Sequence, residues 1–165
     1  VKQMVESLVR LPKRARTETK SRLNTNIAKA FRGANILADQ DETIDEGRVV
    51  KGFTIDETED LVADFALKNG KLHVVSTLDL KSRYTGKGET ALKSMILHKA
   101  EKKFPEKVRK IGVFSVEKDT LETFRPQLNM LEEFSDVLLD WQDPNQKRRL
   151  TRDLIDAMGH RGDLV

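Results

Sequence analysis

Residues 60–81 read DLVADFALKNGKLHVVSTLDLK, and this stretch decides the fold. Two apolar runs, DLVADFAL and LHVVSTLDL, flank Asn69 and Gly70, and an Asn-Gly pair between such runs is the strongest short-range signal for a β-hairpin. We therefore expect two antiparallel strands joined by a two-residue turn. In that register Lys68 pairs with Lys71.

Helices and strands are predicted on both sides of the hairpin. Before it, RVVKGFTI accumulates β-branched and aromatic residues and predicts a strand, and after it RKIGVFSV predicts a buried strand. Thr17 or Thr19 is available as the N-cap of the first helix. Apolar residues at helical spacing predict four helices, over residues 18–37, 89–104, 121–141 and 146–158.

The resulting order is helix, three antiparallel strands, helix, strand, helix, helix. It predicts an α+β fold with a mixed sheet, in which a three-stranded antiparallel meander and one further strand are backed by helices on one or both faces. A chain of 165 residues has the usual size of one domain. We take residues 1–165 as a single domain, with a basic N-terminal segment at 1–17 and a loose tail at 159–165.

Composition excludes several classes of protein. Cysteine is absent, so there is no disulfide framework, thiolate metal site or cysteine nucleophile. No stretch approaches the roughly 20 apolar residues of a membrane span, and VKQMVESLVR lacks the apolar core of a secretory signal. These features predict a cytoplasmic protein without a membrane partner.

Basic residues gather near both ends of the chain, although the formal net charge is only +3. One interpretation of such runs is solvated surface, and the other is a face that contacts phosphates. Under the second, the candidate nucleic-acid-binding residues are Arg14, Arg16, Lys20, Arg22, Lys147, Arg148 and Arg149.

Carboxylates on the hairpin suggest a comparison with a known superfamily. Asp64 lies in VADFALKNG, and Asp79 and Lys81 form a D-x-K pattern. With the order of elements over residues 18–116, they resemble the core of the PD-(D/E)XK nucleases, which has a restriction-endonuclease-like fold. In that superfamily two acids on adjacent strands hold a divalent cation, and the lysine activates or orients water. The resemblance implies catalytic Asp60, Asp64, Asp79 and Lys81, with Mg²⁺ bound by Asp64 and Asp79.

The predicted register constrains this comparison. All four of these side chains fall on one face, and Asp60 lies across from Asp79. Asp64 then lies roughly 13 Å along the strand from Asp79, which is too far to share a cation directly. Either Asp60 supplies the first carboxylate, a bulge shifts the register, or the centre has decayed. Counted from the turn, the position of the superfamily's acid on the third strand is near Ser76 or Thr77. Neither residue has a carboxylate, which favours a decayed catalytic centre.

Simpler interpretations of the same residues stay open. A D-x-K pattern occurs often by chance, and Asp64 can be an ion-pair partner of Lys81 or Lys99. A weaker similarity, through DFALKNGKLHVV and FRPQLNMLEEF, to poorly characterised bacterial and phage-borne domains implies a phage or mobile-element context.

Three functions are therefore distinguished. The first is a nucleic-acid-interacting domain with a nuclease-like fold and a degenerate catalytic centre. The second is an active Mg²⁺-dependent endonuclease or phosphodiesterase. The third is a non-catalytic protein-binding module that acts through the apolar face of residues 121–141, and its signature would be a homo-oligomer or a complex with a protein partner.

Overall fold

The computed structural model of the chain describes residues 21–81, 86–104 and 107–163, with side chains described up to residue 159. Its centre is a mixed sheet of five strands in the spatial order β1-β2-β3-β4-β5. The strands are β1 (Val50–Asp56), β2 (Leu61–Asn69), β3 (Lys71–Asp79), β4 (Val108–Ser115) and β5 (Val137–Asp140). The helices are α1 (Arg22–Gly33), α2 (Lys87–Lys103), α3 (Arg125–Glu133) and α4 (Pro144–Asp163). The predicted α+β class with a mixed sheet is confirmed.

The pairing changes from antiparallel to parallel at β3. β1 pairs with β2, and β2 with β3, in antiparallel fashion, whereas β3, β4 and β5 are parallel neighbours. The parallel connections run through α2 and α3, as parallel strands require a crossover. The carboxyl ends of β3, β4 and β5 therefore meet at one edge of the sheet.

Helix α1 begins later than the sequence predicted. Ser21 is its N-cap, with a side-chain oxygen that accepts a hydrogen bond from the Asn24 backbone N–H at 3.0 Å. The predicted caps, Thr17 and Thr19, lie outside the described residues. The helix ends at Gly33, because Asn35 adopts a left-handed backbone with φ of 61° that cannot continue an α-helix.

The hairpin register differs by one residue from the prediction. Asn69 pairs with Lys71, and Lys68 pairs with Leu72, so the predicted pairing of Lys68 with Lys71 is wrong. Gly70 alone occupies the turn, with a φ of +77° that glycine tolerates without steric cost. Asn69 stays in the strand, and its side-chain amide donates to the backbone carbonyls of Ala157 and Met158 in α4.

The predicted long helix over residues 121–141 is also wrong. Its first half contains α3, and its second half is strand β5, which pairs with β4. Asp136 starts this strand, since its backbone N–H donates to the Lys110 carbonyl at 2.7 Å and its carboxylate accepts from the Lys110 N–H at 2.8 Å. A short apolar run such as VLLD is compatible with a helix or a strand, so periodicity alone could not separate the two.

Two apolar cores lie on opposite faces of the sheet. Helices α1 and α4 cover one face, where Ile27, Phe31, Phe65 and Leu150 are buried together. Helices α2 and α3 cover the other, where Leu97, Leu131 and the inward residues of β3 pack. Helix α4 is longer than predicted, and residues 159–163 of the segment predicted as a loose tail continue it. None of the described helices combines the length and apolarity needed to cross a membrane.

Candidate functional site

Asp64 lies where strands β2 and β3 stop pairing. The last residue pair of the β2–β3 ladder is Phe65 with Val75, directly next to Asp64. Beyond this pair, the Asp64 carboxylate replaces the backbone hydrogen bonds between the two strands. One carboxylate oxygen accepts hydrogen bonds from the Thr77 backbone N–H at 2.8 Å and from the Thr77 hydroxyl at 3.0 Å. The other accepts from the Asn24 side-chain amide of α1 at 2.9 Å. The carboxylate therefore ties β2, β3 and α1 together.

Lys93 of α2 completes this cluster. Its ammonium group donates to both oxygens of Asp64, at 2.9 Å and 2.7 Å. The side chains of Lys93 and Asp64 are only 14% and 13% exposed, so solvent screens the pair weakly. Glu89, one turn earlier on α2, lies 4.0 Å from the same ammonium. The predicted partners of Asp64 are therefore wrong, because Lys81 contacts Glu117 and Lys99 contacts Glu59.

Asp79 has a different set of contacts. It is buried, and one carboxylate oxygen lies 3.4 Å from the Leu23 backbone N–H in the first turn of α1. The other oxygen accepts from the Lys81 backbone N–H at 3.1 Å. A carboxylate beside the free N–H groups at the start of a helix stabilises that helix. Asp79 thus helps to hold α1 against the sheet.

The remaining two predicted catalytic residues are peripheral. Asp60 is exposed in the turn between β1 and β2, where its φ is 57°. Lys81 follows the end of β3, and its ammonium lies 3.7 Å from Glu117 in a largely solvated pair. Neither residue contacts Asp64 among the hydrogen bonds and ion pairs of the described chain.

The observed contacts of the two acids differ from those the predicted register implied. Beyond the pair of Phe65 and Val75, the Asp64 carboxylate bonds to Thr77 of β3. It is also contacted from both helical layers, by Asn24 of α1 and Lys93 of α2. Asp79 lies against α1.

The two acids nevertheless approach the same turn of α1. Asp79 is bound through Leu23, and Asp64 through the next residue, Asn24. Each carboxylate has its own donors, and the described residues include no donor that both share. Among them there is also no group of three or more acidic or histidine side chains placed to hold a metal ion.

Sequence reasoning missed Asn24, Thr77 and Lys93. One signal for Lys93 was present, because Thr90, Lys93 and Leu97 follow helical spacing and both neighbours are buried. A lysine on the buried face of an amphipathic helix requires a partner. No comparable signal marks Asn24, whose contact with Asp64 depends on how α1 docks.

The candidate nucleic-acid-binding residues that the structure describes lie on α1 and α4, which cover the same face of the sheet. Arg14, Arg16 and Lys20 lie outside the described residues. Arg22 is exposed at the start of α1. In α4, the Lys147 ammonium lies 4.8 Å from the centre of the Trp141 ring, and Arg148 donates to Asn145. Trp141 itself is buried in the core.

No protein-family model matches this chain, and no curated protein or solved structure matches it either.

Proposed function

We propose that this chain is a nucleic-acid-binding domain with a nuclease-like fold and a degenerate catalytic centre. Support for the fold comes from the order of elements, in which a helix precedes an antiparallel β1-β2-β3 meander, a helix and a parallel strand. This is the order of the restriction-endonuclease-like core. Helices on both faces of the sheet are consistent with it.

The contacts of Asp64 support the loss of catalysis. Its carboxylate is neutralised by Lys93 and accepts from Asn24 and Thr77, so a divalent cation would have to displace an ammonium group held at 2.7 Å. Thr77, which contacts Asp64 from β3, is one of the two positions where the superfamily would have its second acid. Asp79 serves the first turn of α1 instead. The residues present, as arranged, do not fit Mg²⁺.

The charge of α1 and of the first half of α4 carries the proposal of nucleic-acid binding; the second half of α4 contains Asp153, Asp156 and Asp163. The segments 22–33 and 144–152 contain seven cations and no acid, and all seven side chains are exposed. These cations are Arg22, Lys29, Arg32, Lys147, Arg148, Arg149 and Arg152. Among the described residues, Arg149 is the only one of the seven that forms an ion pair within 4 Å, with Asp153 at 3.8 Å. A side-chain hydrogen bond from Gln146 is the largest cause of the lowered pKa of Asp143, and the charge of Arg148 also contributes.

The opposite helical layer makes a useful contrast. Helix α2 has five lysines, but three of them pair with acids, at 2.7 Å for Lys93, 2.8 Å for Lys99 and 3.5 Å for Lys103. Paired cations attract phosphates weakly, whereas unpaired cations release counterions from nucleic acid when they bind. The α1 and α4 layer is therefore the better phosphate-contacting surface.

Salt-dependent binding tests this surface. Fluorescence anisotropy with labelled duplex DNA, single-stranded DNA and duplex RNA should show affinity that falls as salt rises from about 50 to 200 mM. The double variant Arg148→Glu/Arg152→Glu changes two exposed residues one turn apart. If both contact phosphates of duplex DNA, the slope of log affinity against log salt should decrease by about two.

A matched control changes the same charge on the other layer. Lys87→Glu/Lys102→Glu alters two exposed lysines of α2. We expect it to leave the slope close to that of the wild type. An affinity that does not change with salt concentration, or an equal decrease of the slope in the control variant, would contradict the proposed surface.

The active Mg²⁺-dependent nuclease is tested separately. Calorimetric titration of Mn²⁺ into the wild type and Asp79→Ala, followed by incubation with DNA and RNA, should detect neither stoichiometric binding nor cleavage if the centre is degenerate. Binding and cleavage that are both lost in Asp79→Ala would instead establish a nuclease.

The protein-binding alternative stays a prediction. Within residues 121–141, Leu128, Leu131, Leu139 and Trp141 are buried in the two cores, whereas Met130 is 43% exposed. Any interface in this segment would therefore use its exposed and partly buried apolar residues. A phage or mobile-element context stays a prediction.

A further inference from the structure

An open cleft lies at the end of the sheet where β2 ends and β3 and β4 begin. Asp64 does not line this cleft. The cleft has a volume of about 810 Å³ and is formed by the end of β2, the starts of β3 and β4, and the second half of α4. This volume is within the range of small-molecule sites. The charged lining residues are Lys71, Arg109, Arg149, Asp153 and Asp156.

The arginines in this cleft are incompletely bonded. One Asp153 oxygen lies 3.4 Å from a terminal nitrogen of Arg109 and 3.8 Å from Nε of Arg149, so a single oxygen serves both guanidinium groups. The Nε–H of Arg109 is buried and has no hydrogen-bond partner among the described residues. Buried donors of this kind normally have a partner. A planar or tetrahedral oxyanion could bond both guanidinium groups at once.

The pKa of His73 reflects its burial and the charges that surround it in the cleft. It is buried beside Lys71 and Arg109, and its pKa is lowered from 6.5 to about 4. Burial is the largest cause, the positive charges of Lys71 and Arg109 add to it, and Asp153 opposes it. The imidazole is therefore neutral at pH 7, and the positive charge around it lacks a full counter-charge.

We propose that this cleft binds a small molecule through a phosphate monoester, with the oxyanion between Arg109, Arg149 and Lys71. An organic body attached to the phosphate would lie against the apolar part of the lining, which Ile155 and Ala157 supply. The volume exceeds the need of inorganic phosphate alone, and this favours a phosphorylated compound. Asp153 is the counter-ion that the phosphate displaces. The proposal does not depend on nucleic-acid binding, since Arg149 is the only residue common to both surfaces.

Three probes separate the two parts of the ligand. Inorganic phosphate, adenosine and adenosine 5′-monophosphate are titrated into the full chain by calorimetry at low salt. We expect the monophosphate to bind and adenosine to fail. Phosphate that binds as tightly as the monophosphate would assign the site to the free oxyanion, whereas no binding of either at millimolar concentration would overturn the proposal.

Variants locate any binding that is observed. Arg109→Gln and Lys71→Gln should each weaken monophosphate binding about tenfold or more, as expected for a hydrogen bond or contact to a charged group. Asp153→Asn should strengthen it, because the competing counter-ion is removed. Arg148→Gln is the control on the nucleic-acid surface and should have no effect. Equal weakening in this control, or no change in Arg109→Gln and Lys71→Gln, would place binding elsewhere and refute the site.

The ring of His73 gives a readout that does not depend on affinity. A bound phosphate anion favours the protonated imidazole, so the NMR-detected pKa of His73 should rise from about 4 when phosphate or the monophosphate is added. His98 is an internal reference, since it does not line the cleft. An unchanged His73 titration at saturating ligand would contradict the proposal. The Arg109→Gln variant should bind DNA with the same salt dependence as the wild type. The phosphate-binding and nucleic-acid-binding proposals can therefore fail independently of each other.

Discussion

The Asp64 cluster predicts a large stability effect from one substitution on α2. Lys93→Met keeps most of the volume of the side chain but removes the ammonium group that donates to Asp64 at 2.7 Å and 2.9 Å. Both side chains are about seven-eighths buried, since their exposed fractions are 14% and 13%. Removing one partner of a buried pair typically costs about 3–5 kcal/mol, because the other charge stays behind without compensation.

The structure places this variant at the lower end of that range. Asp64 would keep three donors, namely the Asn24 amide and the N–H and hydroxyl of Thr77. We therefore expect a loss of about 3 kcal/mol in the free energy of unfolding. Urea denaturation followed by circular dichroism measures it. A midpoint about 1–3 M lower corresponds to this loss at the slopes of about 1–3 kcal/mol/M usual for small domains in urea.

A double-mutant cycle isolates the pair itself. Asp64→Asn alone should also destabilise, but adding it to Lys93→Met should cost much less than the sum, with a coupling energy of about 2 kcal/mol. Lys99→Met is the matched control, because its partner Glu59 is nearly half exposed at 49%. That control should lower the midpoint less than Lys93→Met. If the two lysine variants behave alike, or the cycle shows no coupling, the cluster does not hold β2, β3 and α2 together as described.

Three further predictions concern other parts of the fold. The free energy of unfolding should fall as pH drops from 6.5 towards 4, because His73 binds a proton in the unfolded chain but not in the folded one. The effect is at most roughly 3 kcal/mol. In urea titrations at several pH values, His73→Gln should reduce this pH dependence. Gly112→Ala should cost about 1–3 kcal/mol, since an added Cβ would lie 2.7 Å from the Ser135 hydroxyl and 2.9 Å from Leu138. Gly88→Ala, with open space around it, should be neutral or stabilising, and similar melting temperatures for these two alanine variants would contradict the packing of β5 on β4. Ser21→Ala should destabilise the protein by about 1 kcal/mol in thermal unfolding through loss of the α1 cap, whereas Ser21→Asp should retain most of the stability.

Local patterns of sequence determined most of the elements. The alternating and apolar runs on either side of Asn69 and Gly70 predicted β2 and β3, and helical spacing predicted α1 and α2 within a few residues. These predictions succeed because a strand or an amphipathic helix must repeat its apolar residues at its own period. The absence of cysteine and the uneven distribution of charge were also properties of the sequence alone.

Tertiary contacts decided the pairing of those elements. In the observed register Asn69 stays in β2 and its amide donates to Met158, 89 residues away, and residues 137–140 form a strand because they pair with β4. Strand or helix was equally compatible with their short apolar run. The choice was made by the hydrogen bonds that β4 offers.

The candidate site shows the same division at the level of single residues. The sequence supplied Asp64 and Asp79 as acids on adjacent strands, but their partners lie 29 residues away at Lys93 and 56 residues away at Leu23. A carboxylate near a turn can bind a metal ion, an ammonium group or a helix N-terminus, and its own sequence neighbourhood does not distinguish among them. Docking of α1 and α2 on opposite faces of the sheet made that choice, because a buried charge is stabilised only by the groups that packing brings within bonding distance.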